Sequence, residues 1–130
     1  MSTATTLVWF RRDLRLADNP ALVAAVTASD RVVPVYVHAP DEETPWAPGA
    51  ASRWWLHHSL QALEAGLRQR GSTLTVRRGP SLPALVELAR ETGATRIVWN
   101  RLYDPATVAR DTQIKAALRE QGFECESHNA

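Results

Sequence analysis

Three places in this chain group side chains able to do chemistry. The first is Arg11-Arg12-Asp13-Leu14-Arg15, directly after the apolar run Leu7-Val8-Trp9-Phe10. Three guanidiniums and a carboxylate in five residues can hold an anionic or polar ligand. They can equally pair among themselves, with Asp18, or with a neighbouring domain, as charged loops commonly do. The second is Asn100-Arg101-Leu102-Tyr103-Asp104-Pro105, after another apolar run ending at Trp99. Asn100 and Asp104 offer polar groups and Tyr103 a stacking face; Asp104 can also simply cap a helix that Pro105 begins. The third is Arg53 with His57, four apart and therefore on one face of a helix, suited either to a ligand or to a solvated stripe.

Other chemistries find less support. The six glycines stand singly, so neither the dinucleotide Gly-x-Gly-x-x-Gly fingerprint nor a phosphate-binding P-loop is present. Cys125 is the one cysteine, which rules out an internal disulfide and gives no Cys-based metal set. Cys125 and Ser127 have no evident base, so no nucleophilic triad is expected. His57 and His58 are adjacent, point apart on a helix and lack a third ligand, so no metal site is expected. Of the five tryptophans, Trp9 and Trp99 belong to core strands, while Trp54 and Trp55 cannot both point inward.

The elements that must position these groups alternate. Strands are expected at 6–10, 31–37, 73–77, 96–99 and 123–127, and helices at 20–28, 50–70, 82–91 and 104–120. Asn19 can cap the first helix with Pro20 in its first turn, and Ser81 can cap the third. Leu56, Leu60, Leu63 and Leu67 form one apolar stripe on the long second helix. Gly71 and Gly93 suit left-handed helix ends. Val108, Ile114 and Leu118 are the expected inner face of the fourth. Pro34 sits awkwardly in the second strand, since proline prefers sheet edges. Strand and helix repeated four times imply a doubly wound, Rossmann-like α/β sheet of five parallel strands, order 3-2-1-4-5, with helices on both faces. In such sheets ligands bind at the carboxyl ends of the strands. All three constellations fall at or near that edge.

The 130 residues amount to one domain, with 45% hydrophobic residues and a net charge of +1. That charge gives no general attraction to nucleic acid or membrane. Lys115 is the one lysine among 15 basic residues, a bias that genome composition can produce as readily as function. No secretory leader pattern or membrane-spanning run is visible, and a cytoplasmic location is expected. The last strand runs almost to Ala130, which suggests a fragment of something longer.

Three blocks in order closely resemble the DNA photolyase and cryptochrome family: Leu7 to Leu22, Gly49-x-x-x-Arg53-x-x-Leu56-x-x-Ser59-Leu60-x-x-Leu63, and Asn100 to Asp111. The closing Ser127-His128-Asn129-Ala130 resembles the passage from that family's first domain into its connector. The resemblance implies that residues 1–130 are the amino-terminal α/β domain, which carries an antenna chromophore. A helical domain binding FAD and UV-damaged DNA would follow on the same polypeptide. It implies that the parent is a photolyase, a light-driven carbon–carbon lyase splitting pyrimidine dimers, with no catalytic residue in this segment. The same domain of a cryptochrome photoreceptor, or a free-standing α/β nucleotide-binding module, are the alternatives. By position, Arg11, Val37, His38, Arg53 and Asp104 resemble pocket residues of members that bind a deazaflavin. Folate-binding members carry Asn-Glu where this chain has Ala106-Thr107, so the resemblance favours a deazaflavin or other flavin over folate.

Overall fold

In the computed structural model, the described residues are 5–11, 16, 19–29, 31–38, 50–101 and 105–128, with the backbone alone described at 28, 50–53 and 106. Five strands alternate with four helices: β1 (Thr5–Phe10), α1 (Pro20–Ala28), β2 (Arg31–His38), α2 (Ala50–Gln69), β3 (Thr75–Arg78), α3 (Ser81–Thr92), β4 (Arg96–Asn100), α4 (Pro105–Glu120) and β5 (Glu124–His128). All pairings are parallel and the order is β3-β2-β1-β4-β5, as the alternation predicts. Every expected element exists, with ends displaced by up to two residues. β4 runs on to Asn100 because its ladder continues to the Asn100–His128 pair.

Side-chain alternation splits the core into two layers. Leu7, Trp9, Val33, Val35 and Val37 face α3 and α4, where Leu85, Leu88, Ile114 and Leu118 close over them. Trp9 and Trp99 meet edge to face there, with ring centroids 5.4 Å apart. Val8, Phe10 and Val98 face the other way, against Ala21 and Ala25 of α1 and Leu63 and Leu67 of α2. Both strand tryptophans are thus core residues. Trp54 and Trp55 are both exposed, at 66% and 54%, so neither points inward.

Local chemistry explains most boundaries. Asn19 caps α1 by accepting from the Leu22 N–H at 3.1 Å. At the end of α2, Gly71 takes φ of +77°, and Ser72 N–H donates back to the Leu67 carbonyl at 2.9 Å. Pro34 is accommodated in the interior strand β2 because pairing with β3 begins only at Val35–Thr75. The proline faces β1 alone, opposite Val8. Two expectations need correction. Ser81 is the first residue of α3 rather than its cap; Pro80 holds the cap position with no side-chain bond. Val108 is 46% exposed rather than inward. The inner row of α4 is Thr107, Asp111, Ile114 and Leu118, at spacings of four, three and four. Two polar residues enter that row because they sit over the sheet's carboxyl edge, where a guanidinium awaits one of them.

Candidate functional site at the carboxyl edge

The carboxyl edge is formed where β1, β2 and β4 end and the helices start. Arg11 follows β1 and is only 7% exposed. Its Nη1 lies 2.5 Å from Asp111 Oδ2, its Nη2 donates to the Asn100 carbonyl, and its guanidinium carbon stands 4.8 Å from the Trp9 ring centroid. The charge is therefore turned inward as a brace joining β1, β4 and α4. Its described partner is Asp111, and Asp13 and Asp18 lie outside the described residues along with the rest of 12–15. The sequence reading missed Asp111; its legible signal was the 107, 111, 114, 118 spacing.

A second brace is built from two asparagines, both almost fully buried. Asn100 Nδ2 donates to Asn19 Oδ1 at 2.7 Å, and Asn100 Oδ1 accepts from the Ala21 N–H at 2.9 Å. The first turn of α1 is thereby closed. Pro20 has no N–H, while Ala21 and Leu22 donate to the two asparagine oxygens. A helix start is the usual anion seat of nucleotide-binding α/β domains. Here a cofactor phosphate would have to displace both side chains, so a dinucleotide held on α1 does not fit these residues.

The five candidate residues do not form a single cluster. Val37 is buried on the α3/α4 side, the side to which Arg11 also turns. His38, next in β2, falls on the opposite side with α1 and α2 and is half-buried; its carbonyl accepts from the Gly79 N–H at 2.7 Å. Arg53 lies in the first turn of α2, at the same end of the sheet. Asp104 lies outside the described residues. A cleft of about 520 Å³ runs along the outside of α3, between Leu82, Val86, Arg90 and Gln121; none of the five lines it.

The comparisons place this architecture. The family model for DNA photolyase matches residues 6–130, nearly the whole chain. The chain belongs to the DNA photolyase family. Among curated relatives of this photolyase-family domain, Cryptochrome-1 of Sinapis alba is 46% identical over 125 residues, 95% of this chain and 25% of that protein. A deoxyribodipyrimidine photo-lyase of Agrobacterium fabrum is likewise 46% identical, over 123 residues, and again 25% of that protein is covered. A solved structure of a bacterial class III photolyase from Agrobacterium tumefaciens superposes with a TM-score of 0.92 at 44% identity, over 99% of this chain and 26% of that one. The photolyase-family domain thus spans about a quarter of the length of the relatives it matches. No helix among its described residues is long and apolar enough to cross a membrane.

Proposed function

We propose that this chain is the antenna-chromophore-binding domain of a DNA photolyase that repairs pyrimidine dimers in UV-damaged DNA. Residues 1–130 are in this reading one domain. An FAD-binding helical domain on the same polypeptide meets the damaged DNA and does the chemistry, so this segment alone is inactive. The observation that supports this most is the family match over residues 6–130 together with the backbone likeness to a class III photolyase. When bound, the antenna absorbs near-ultraviolet light and passes the excitation to the flavin. The closed start of α1 leaves the ends of β2 and α2 to hold it. His38 offers a half-open imidazole and Val37 an apolar edge, while Arg53, in the first turn of α2, is assigned to the pocket on the resemblance. Arg11, tied to Asp111, shapes the wall rather than meeting the ligand with a free charge. Asp104 is assigned to the pocket on the resemblance alone. A planar deazaflavin or other flavin, bound without a phosphate on α1, suits these groups better than folate.

The full-length polypeptide should copurify with, or be reconstituted by, a near-ultraviolet-absorbing chromophore. Arg53→Ala should lower its occupancy, read as the ratio of antenna to flavin absorbance. Unchanged occupancy would return Arg53 to a solvated helix face. The similarity to cryptochromes, equal in identity to that with photolyases, supports a second reading: the same domain of a blue-light receptor. Light-dependent loss of dimers from an irradiated oligonucleotide decides between them, since a receptor leaves the dimers intact.

A further inference from the structure

The cleft of about 520 Å³ follows the outer side of α3, on the face of the sheet away from α1 and α2. That volume suits a short peptide or a small ligand. Leu82, Pro83 and Val86 form its floor, and Leu82 and Val86 are continuous with the packed core beneath. From Leu82 to Arg90 is two helical turns, about 12 Å along the axis. Gln121, in the turn after α4, closes the end of the cleft. There Arg90 Nη2 donates to Gln121 Oε1 at 3.0 Å, a bond that spans α3 and that turn.

The polar groups on the rim are not equally engaged. Glu91 Oε2 lies 2.6 Å from Arg77 Nη2. Arg90 and Gln121 hold each other. Glu87, exposed beside Val86, has neither a hydrogen bond nor an ion pair with any described residue. An unanswered carboxylate next to an apolar floor favours a cation that brings apolar surface with it. The Arg90 end favours a neutral acceptor. With its oxygen taken, Gln121 keeps its amide N–H groups, and Arg90 keeps those that Gln121 does not use. A peptide supplies all three partners: an apolar side chain, a lysine or arginine, and main-chain carbonyls. An acidic segment would instead meet the carboxylates of Glu87 and Glu91.

We propose that the α3 cleft is a docking groove for a short apolar and basic segment of another protein. The apolar side chain lies on Leu82, Pro83 and Val86, the cation meets Glu87, and a main-chain carbonyl accepts from Arg90 or Gln121. The groove holds three or four residues of extended chain, at about 3.3 Å each. None of the residues assigned to the antenna pocket lines it, so the two sites stand or fall separately.

The probe is the tetrapeptide acetyl-Ile-Leu-Ala-Lys-amide, titrated into the 130-residue chain at constant ionic strength and followed by backbone amide NMR. It should shift the signals of Val86, Glu87 and Arg90 saturably. The same peptide ending in glutamate should bind at least about tenfold more weakly. Glu87→Gln, at an exposed position, should keep the melting temperature. It should weaken the lysine peptide about three- to fivefold, the scale of an exposed ion pair, and tighten the glutamate peptide. Leu82→Ala should weaken both peptides alike, by about fivefold, since the floor does not read charge. The full-length polypeptide should bind the lysine peptide as this chain does. Unsaturable shifts, shifts away from α3, equal affinity for the two peptides, or full affinity in Glu87→Gln overturns the proposal. So does loss of binding in the full-length polypeptide, which would give the groove to residues beyond Ala130.

Discussion

The two faces of the sheet are built differently. On the α3/α4 face, α3 buries Ser81, Ala84, Leu85, Val86, Leu88 and Ala89, and both strand tryptophans lie beneath the helices. On the other face α1 buries Ala21 and Ala25 and packs Leu22 partly against the core, while Val23 and Val26 stand 62% and 61% exposed. Within α2, Leu63 and Leu67 are buried, but toward its start Leu56 and Leu60 are half-buried and Trp54 and Trp55 exposed. A helix that is apolar nearly all round, like α1, is usually covered on every side. One face is complete within this chain. The other carries apolar surface that a longer polypeptide could cover, consistent with relatives four times its length.

The complete face should fail most severely when its polar brace is cut. Asp111→Ala leaves the Arg11 guanidinium buried without its carboxylate. It should destabilise the chain by about 3–5 kcal/mol in denaturant unfolding. A loss under about 1 kcal/mol would mean that the pair is no brace. Asn100→Ala is next. It unpairs the Ala21 N–H and the Asn19 amide contact where the two faces meet, and should cost about 2–3 kcal/mol by the same measurement. The open face should be insensitive at its exposed end. Trp54→Ala with Trp55→Ala should move the unfolding free energy of this chain by under about 0.5 kcal/mol, as for exposed positions generally. A large loss would show that the start of α2 packs here after all.

The smallest effect concerns the sheet edge. The hydrogen bond from Arg96, with its charge and that of His128, holds the Glu126 carboxyl below its ordinary pKa despite partial burial. A carboxylate lowered by folding contributes stability above its unfolded pKa of about 4.3, and that contribution is lost as pH falls through the folded value. Because Glu126 is half-exposed, the contribution should stay under about 1 kcal/mol. Glu126→Gln should flatten the stability profile only in that acidic window. A difference of the same size above and below that window would assign the effect to packing instead.

Much of the architecture was legible in residue order. The alternation of apolar runs with capped helices sufficed for five parallel strands in the order 3-2-1-4-5, because crossover handedness leaves few other ways to wind them. Asn19, Gly71 and Gly93 announced their own ends, since capping is a short-range interaction. The site was less legible. Arg11 could be placed at the carboxyl edge from its position after β1. Its partner could not, because Asp111 is 100 residues away in the chain. The same limit hid the Asn19–Asn100 lock and the meeting of Arg101, Lys115 and Ser127 on β5.

The sequence by itself determined the family, the strand order and the edge where ligands gather, because periodicity, caps and motif blocks act over a few residues or along the chain. Only the tertiary structure decided which charges are spent inside the fold and which remain outside. Arg11 is turned inward to α4, the first donors of α1 are taken by asparagine oxygens, and Arg101 and Lys115 meet at Ser127. Pairings of this kind depend on which side chains the packed sheet brings within about 3 Å, a distance that sequence spacing does not encode.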